Sequence, residues 1–134
     1  MKLIERKTST RNMKKSIFII EPDNDSRIFY ADLLMEKGYN VLSCAKNGKE
    51  SIRKFKKLSK RPGIIIIEWS IAQKNGFQAI KKLFQLDNNI KFIIFNGEKR
   101  FKEKSSLFGV ENILKKSFTF NDLLLEIEYL INSN

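Results

Sequence analysis

The sequence predicts an α/β domain in which five β-strands alternate with five helices, and three observations indicate this class. Apolar runs typical of strands begin near residues 16, 40, 63, 90 and 110, an interval that fits one strand plus one helix. Most segments between these runs carry apolar residues at helical spacing. The run "GIIIIE" is apolar without alternation, as expected for a parallel strand with helices over both faces of the sheet.

The first strand and helix are predicted over residues 16–38. "SIFII" (16–20) is the strand, and Asn24 and Asp25 are candidate caps for a helix that ends at Gly38. Four apolar residues of this helix are expected to face the core: Ile28, Ala31, Leu34 and Met35.

The second unit and the third strand follow the same scheme. "NVLSCA" (40–45) is a strand on which the lone Cys44 is expected to be a small apolar filler rather than a reactive thiol. A helix begins after Asn47-Gly48 and stops at Pro62-Gly63, and "GIIIIE" (63–68) is the third strand. The residues of this helix expected in the core are Ile52, Phe55 and Leu58.

The third helix follows Gly76 and is broken at Asn88-Asn89. "IKFIIFN" (90–96) is the fourth strand, a short helix is expected in the polar stretch that ends near Ser106, and "VENILKK" (110–116) holds the fifth strand. The core residues predicted for the third helix are Phe77, Ile80, Leu83 and Phe84.

The last helix has the clearest signals. Thr119 is a candidate cap with Asp122 in the first turn of the helix, and Phe118 and Leu123 lie where a hydrophobic staple would. One apolar stripe is predicted along its length, formed by Phe120, Leu123, Leu124, Ile127, Leu130 and Ile131.

The length of 134 residues fits one domain, which we predict over residues 16–134 after a basic, disordered tail over residues 1–15. The tail has no usable periodicity, and Met13 within it is an alternative start. It holds six Lys/Arg and one Glu, and residues 46–61 hold eight Lys/Arg and one Glu, within a net charge of +11. Such charge suits nucleic acid, an anionic membrane or an acidic protein, or else is a solvated lysine-rich helix face.

Two absences limit the chemistry. There is no histidine, which excludes Ser/His and Cys/His nucleophile pairs and histidine-ligated metals. No apolar run approaches the length of a membrane helix and the start lacks a signal-peptide core, so we predict a cytoplasmic protein.

Glu68 ends the third strand, and ligands of open α/β sheets gather at the carboxyl ends of the strands.

Several fragments, in this order and spacing, match one family. They are Glu21 with Arg27 six residues later, "GYNV" before strand two, "NGKES" at the second helix, "IIIIEWSIAQKNGF" at strand three, "FIIFNGE" at strand four and "FGVENILKKSF" around strand five. From residue 16 to about 132 the chain thus resembles the receiver domain of two-component response regulators, with the flavodoxin-like fold of single-domain chemotaxis regulators. The resemblance implies a (βα)5 three-layer sandwich with a five-stranded parallel sheet of order 2-1-3-4-5.

The resemblance also implies where the chemistry of an active receiver would lie. Such receivers carry a phosphoacceptor aspartate at the end of strand three, where this chain has Glu68. Two acids after strand one hold Mg²⁺, and they match Glu21 and Pro22, with Asp23 acidic but one place further on. A hydroxyl residue that contacts the phosphoryl group at the end of strand four is replaced by Asn96.

Further departures lie around the remaining loops. The lysine that receivers carry at the end of strand five matches Lys116, but the proline that usually follows it is Ser117. The aromatic switch position falls at Ile113, and the methionine and proline of the turn after strand three are Ile71 and Ala72. Because Pro22 offers no carboxylate and Glu68 is one methylene longer than aspartate, we expect Mg²⁺ binding to be weak or absent and no other cofactor to be bound.

We therefore expect a pseudo-receiver: a non-enzymatic module that signals by protein–protein contact without phosphorylation. Glu68 would be a partial mimic of a phosphorylated side chain, or would merely neutralise Lys116. The partner would be a sensor kinase or an output protein, with the chain a monomer or a homodimer through the short helix, strand five and the last helix. The residues predicted on that face are Lys99, Arg100, Phe101, Lys102, Lys104 and Phe108.

Two alternatives remain from the sequence. One is a Mg²⁺-dependent receiver that still accepts phosphate slowly. The other is an accessory protein that binds nucleic acid weakly through the tail and the second helix, although no helix-turn-helix extension is present and aromatic residues do not alternate with the basic ones.

Overall fold

The computed structural model describes residues 15–68, 77–97, 112–115 and 119–132, with backbone alone for residues 77, 96–97 and 112–115. Its strands are β1 (Ser16–Ile20), β2 (Asn40–Ala45), β3 (Ile64–Glu68), β4 (Lys91–Gly97) and β5 (Asn112–Lys115). Its helices are α1 (Asn24–Glu36), α2 (Gly48–Lys57), α3 (Phe77–Leu86) and α4 (Phe120–Asn132).

The strands form one parallel sheet of order β2-β1-β3-β4-β5, as the sequence predicted. β3 is the middle strand, and its residues Ile64 to Ile67 pair in register with Ile17 to Ile20 of β1. Parallel neighbours require crossovers, and the helices supply them. The short helix predicted between β4 and β5 lies outside the described residues.

The core consists of two layers, one on each face of the sheet. Alternate residues of β1 point to opposite faces: Phe18 and Ile20 to one layer, Ile17 and Ile19 to the other. α2 and α3 cover the first layer, with Phe55, Ile80 and Leu83 buried. α1 and α4 cover the second, with Ala31, Leu34, Leu123, Ile127 and Leu130 buried.

The predicted inner faces of the second, third and last helices are confirmed where side chains are described. Ile52 and Leu58 are partly buried against the first layer, as is Phe84. Phe120, Leu124 and Ile131 are partly buried against the second, and so is Cys44, which supports its interpretation as a filler.

The predicted inner face of α1 is half wrong. Ala31 and Leu34 are buried, but Ile28 and Met35 are 51% and 50% exposed. α1 lies mainly over β2, which is the edge strand of the sheet. Because no described strand lies beyond β2, the sheet does not extend beneath the apolar residues on that flank of the helix.

Helix boundaries follow local hydrogen bonding. Asp23, rather than Asn24 or Asp25, caps α1, because its side chain accepts from the Ser26 N–H. α1 ends before Gly38, which has a φ of 92° that favours glycine. Asn47 caps α2, which ends at Lys57 and therefore before the Pro62-Gly63 stop that the sequence suggested.

Thr119 caps α4, as the sequence predicted, and the side chain of Asp122 bonds back to it. The Thr119 N–H donates to Asp122 Oδ2 at 2.8 Å, and the Asp122 N–H donates to Thr119 Oγ1 at 3.2 Å. Phe118, the other half of the proposed staple, lies outside the described residues. In the described part of the chain no helix is both long and apolar enough to cross a membrane.

Candidate functional site

Two carboxylates meet at the carboxyl edge of the sheet. Ile20 of β1 pairs with Ile67 of β3, so Glu21 and Glu68 are the next residues along two neighbouring strands. Glu68 ends β3, is partly buried and pairs with Phe95 of β4. Parallel strands end on the same side of the sheet, so both residues lie at the edge where the family resemblance implies an acidic pocket.

Glu21 is buried, with only 6% of its surface exposed, and three of its polar atoms are hydrogen-bonded within the chain. Its backbone N–H donates to the Ala45 carbonyl at 2.9 Å, and its own carbonyl accepts from Arg27 Nη1 at 2.9 Å. Its Oε2 accepts from the Asp23 N–H at 3.0 Å. Glu21 is therefore fixed in position by donors from the turn after β1 and from α1.

The pKa of the Glu21 carboxyl is raised, chiefly because burial removes the charged form from water. The negative charges of Glu68 and Asp23 raise it further, while the Asp23 N–H and the Arg27 guanidinium oppose the rise. Repulsion between Glu21 and Glu68 indicates that their carboxylates share one electrostatic environment.

Pro22 and Asp23 are both exposed. Pro22 carries no ligand atom, and Asp23 Oδ2 accepts from the Ser26 N–H at 2.8 Å as the cap of α1. These hydrogen bonds from Ser26 lower the pKa of Asp23. The carboxylate of Asp23 is thus engaged at the start of the helix.

Tyr30 is a neighbour of this edge that the sequence analysis missed. Its ring packs edge to face on Phe95, with centroids 5.5 Å apart and planes at 60°. Burial raises its pKa first, and the charges of Glu21 and Glu68 raise it further. The available signal was its helical spacing from Arg27 and Leu34, which puts all three on the sheet-facing side of α1.

The donor set at this edge does not fit the cluster of carboxylates with which receivers hold Mg²⁺. That ion requires near-octahedral oxygen coordination, commonly through one or two carboxylates together with waters and phosphate. Here Glu21 uses one oxygen for the Asp23 N–H, Asp23 caps α1, and Pro22 offers nothing. Over the ranges that the structure describes, no group of three or more His, Cys, Asp or Glu is arranged to hold a metal ion.

The other predicted site residues are only partly described. Asn96 lies in β4, and Ile113 lies in β5 with Ile94 as its backbone partner. Lys116, Ser117, Ile71 and Ala72 lie outside the described residues. So does the whole predicted partner face: Lys99, Arg100, Phe101, Lys102, Lys104 and Phe108.

The basic segment around α2 is mostly solvated, with two exceptions. Lys54 Nζ donates to the Cys44 carbonyl at 2.7 Å and pairs with Glu50 at 3.1 Å. The Arg61 guanidinium lies 4.5 Å from the centroid of the Phe55 ring. Both cations contact the fold, Lys54 from a partly buried position and Arg61 from an exposed one. The other exposed cations of this segment include Lys49, Arg53, Lys56, Lys57 and Lys60.

Known proteins share this sequence pattern. A family model described as "Response regulator receiver domain" matches residues 17–128. The chemotaxis protein CheY of Thermotoga maritima is 28% identical over 108 residues, covering 79% of this chain and 88% of that protein. The sporulation initiation phosphotransferase F of Bacillus subtilis is 24% identical over 113 residues, covering 83% of this chain and 89% of that protein.

Solved structures share the fold. A response regulator receiver domain protein from Clostridium thermocellum has a TM-score of 0.76 at 21% identity, covering 87% of this chain and 94% of that chain. The CheX-CheY-BeF3-Mg complex from Borrelia burgdorferi has a TM-score of 0.78 at 14% identity, covering 88% of this chain and 90% of that chain. The similarity therefore includes nearly the whole of each domain.

Proposed function

Because this chain belongs to the response regulator receiver domain family, we propose that it is an atypical receiver that transmits signals by protein–protein contact, independently of phosphorylation. The proposal rests on the observation that the acids at the carboxyl edge of the sheet accept hydrogen bonds from the protein's own backbone. Glu21 accepts from the Asp23 N–H, and Asp23 caps α1 through Ser26. Pro22 lies between them. Of the two positions after β1 at which the family carries metal-binding acids, this chain therefore has a carboxylate only at Glu21.

Phosphoryl transfer depends almost entirely on position and on neutralised charge. Glu68 is one methylene longer than the aspartate that the family carries, which moves its oxygens by about 1.5 Å. Without a third carboxylate to hold the cation, the repulsion between Glu21 and an incoming phosphate would also be left uncompensated. Both faults act on the same step, so Mg²⁺ binding would be weak or absent and transfer negligible.

Glu68 would instead supply a permanent negative charge beside β4. A phosphoryl group on that position would carry nearly two charges and three acceptor oxygens, so a carboxylate is a partial substitute. In this role Glu68 would attract Lys116 and would bias the surrounding loops toward one arrangement. The alternative is that Glu68 only neutralises Lys116 and the domain is a rigid scaffold.

The partner would be another signalling protein, either a sensor kinase or an output protein. Receiver domains work through such contacts, and the related CheY of Borrelia burgdorferi was solved in a complex with CheX. The face formed by the segment before β5, by β5 itself and by α4 remains our proposed contact surface, with the chain a monomer or a homodimer.

Incubation with acetyl phosphate and Mg²⁺, followed by intact-mass measurement, tests the proposal. The wild-type chain should gain no mass. The matched control is the double variant Pro22→Asp with Glu68→Asp. It restores the missing carboxylate and the phosphoacceptor aspartate of the family pattern, and it should gain one phosphoryl group as acetate leaves. A phosphorylated wild-type chain would overturn the proposal, and the control shows that the donor and the metal are active.

Glu68→Gln separates the mimic from the scaffold. The substitution keeps the shape and removes the charge, so a mimic should lose partner affinity on the order of 1 kcal/mol without unfolding. Lys116→Met should have the same effect, and the double variant should add little because both single changes break one interaction. Unchanged affinity in Glu68→Gln would establish the scaffold.

A further inference from the structure

The outer surfaces of α1 and α4, which we call the α1–α4 face, carry unusual exposed apolar area. Of the large hydrophobic side chains that are exposed in the described residues, all but Leu86 lie on these two helices. Isolated exposed apolar residues are common, but a concentration on one side of a domain is typical of a contact surface. The residues are Ile28, Phe29, Met35, Leu125 and Tyr129, with exposed fractions from 50% to 68%.

The same face is acidic, while the opposite side of the sheet is basic. α1 and α4 together hold six Asp/Glu and one Arg, a formal charge of −5. α2 and α3 together hold seven Lys/Arg and one Glu, a formal charge of +6. Because each helix pair covers a different core layer, the charges are separated across the thickness of the domain.

A complementary segment is attached to this domain. Residues 1–14 carry five Lys/Arg and one Glu, together with the apolar residues Met1, Leu3, Ile4 and Met13. We propose that this N-terminal segment docks on the α1–α4 face, placing its apolar residues against the exposed apolar side chains and its cations beside the acids.

The point at which the segment leaves the domain supports this contact. The Lys15 carbonyl accepts from the Asn40 N–H at 3.0 Å, so the chain enters β1 beside the start of β2. The preceding residue, Tyr39, is buried in the α1–α4 core layer and donates its hydroxyl proton to Glu128 of α4. The exit therefore lies at the end of the domain where α1 finishes and where Glu128 is anchored.

The length of the segment is sufficient. Fourteen extended residues span at most about 50 Å, whereas a helix of 13 residues such as α1 is only about 20 Å long. Tethering also raises the effective concentration of the segment to roughly millimolar, so a weak contact is enough to populate the docked state.

Charge disfavours binding of the segment to the other side of the domain and the close approach of two copies. The α2–α3 side repels a basic segment, and two copies of a chain with net charge +11 repel each other at long range. Docking of the segment would cover part of α4, so a partner that uses α4 would have to displace it.

Paramagnetic relaxation measured on the full chain tests the proposal. A nitroxide is attached at Thr8→Cys in a Cys44→Ala background, and the amide resonances are compared with the label oxidised and reduced. The expected result is selective broadening at Asp32, Met35, Leu125 and Tyr129, with the amides of α2 and α3 unaffected. Broadening of α2 and α3, or none above background, would overturn the proposal.

Charge variants provide the matched comparison. Asp32→Asn, Glu36→Gln and Glu126→Gln together leave the cap of α1 and the Tyr39 bond intact, and should reduce the broadening several-fold. An equal number of changes on the other side, Lys49→Gln, Lys56→Gln and Lys82→Gln, should leave it unchanged. Added salt should also weaken the broadening in the spin-labelled chain whose α1–α4 face is unaltered. This measurement requires no substitution on the face.

A mixing experiment distinguishes docking within one chain from association between copies. Spin-labelled chains without ¹⁵N are mixed with unlabelled ¹⁵N chains at the same total concentration. No broadening of the ¹⁵N chains is expected. Broadening equal to that seen within the labelled chain would show that a second copy occupies the face and would overturn the proposal.

Discussion

The buried carboxylate of Glu21 accepts a 3.0 Å hydrogen bond from the backbone N–H of Asp23, two residues further along the chain. The turn between β1 and α1 thus bonds to its own acid, while the side chain of Asp23 bonds forward to Ser26. Both acids that remain near the first metal-binding positions of the family are engaged by donors of the protein itself.

The capping role of Asp23 leads to a test by two substitutions. Asp23→Ala should lower the free energy of unfolding by about 1 kcal/mol, because the Ser26 N–H loses its acceptor. Asp23→Asn should cost little, since asparagine caps helices equally well. Chemical denaturation measures both. If Asp23→Asn were as destabilising as Asp23→Ala, the charge rather than the cap would be the important feature.

The raised pKa of Glu21 gives stability a particular pH dependence. Its folded pKa exceeds its unfolded value, so the folded state binds the proton more tightly. This group therefore contributes most to stability at acid pH and progressively less as the pH rises from the unfolded value through the folded one. Glu21→Gln, which cannot ionise, should raise the melting temperature at pH 7 relative to the wild type.

That gain should shrink as the pH falls through the folded pKa and should be nearly gone below about 4, where the wild-type carboxyl is neutral in both states. Melting temperatures of the two chains across the acid range provide the measurement. A Glu21→Gln chain that is less stable than the wild type at pH 7 would mean that the charged carboxylate is favoured by its donors despite burial.

Tyr39 joins the entry to β2 with α4. Tyr39→Phe removes the hydroxyl that donates to Glu128 and should cost about 1 kcal/mol, because the exposed carboxylate of Glu128 can bind water instead. Urea denaturation measures the loss. A matched control is Tyr129→Phe, since the Tyr129 side chain is 65% exposed and its hydroxyl can be solvated in either case.

The pKa of the Tyr39 hydroxyl is raised by burial and then by the bond to Glu128 and its charge. Above about pH 10 the unfolded tyrosine ionises while the folded one keeps its proton, so stability falls as the pH rises further. Tyr39→Phe should show a shallower loss between pH 10 and the alkaline unfolding limit. Equal slopes for both chains would contradict this assignment.

The basic surface of α2 should be largely dispensable for folding. Reversing the exposed Lys49, Arg53, Lys56 and Lys57 to glutamate should change stability by no more than about 0.5 kcal/mol each, because solvated charges contribute little. Lys54→Ala should cost on the order of 1 kcal/mol, since Lys54 donates to the Cys44 carbonyl. Thermal melts of both variants test the difference, which would vanish if Lys54 were merely solvated.

The sequence predicts the sheet well and the helix surfaces less well. β1 has the bounds that its apolar run suggested, because a strand covered on both faces leaves a strong signal. The half-buried edge strand β2 also has the bounds that the sequence predicted. Ile28 and Met35 were misplaced because a helical pattern gives no information about where the sheet beneath it ends. The exposed flank of α1 follows from its position over the edge strand.

The candidate site was predictable in its backbone positions but not in its bonding. The ends of β1 and β3 gave Glu21 and Glu68, because parallel strands finish at one edge. Three adjacent polar residues compete to cap α1, and spacing alone does not choose Asp23 among them. Tyr30 reaches the edge through its contact with Phe95, which is remote in sequence.

The Mg²⁺ affinity of the full chain, measured by titration calorimetry beside that of Pro22→Asp with Glu68→Asp, tests the central claim most directly. The wild-type chain should give no binding heat up to millimolar Mg²⁺, because its acids are engaged or missing at the edge of the sheet. The double variant should bind, and more tightly than either single variant, since the ligands act as one shell. A wild-type dissociation constant well below a millimolar would contradict the account.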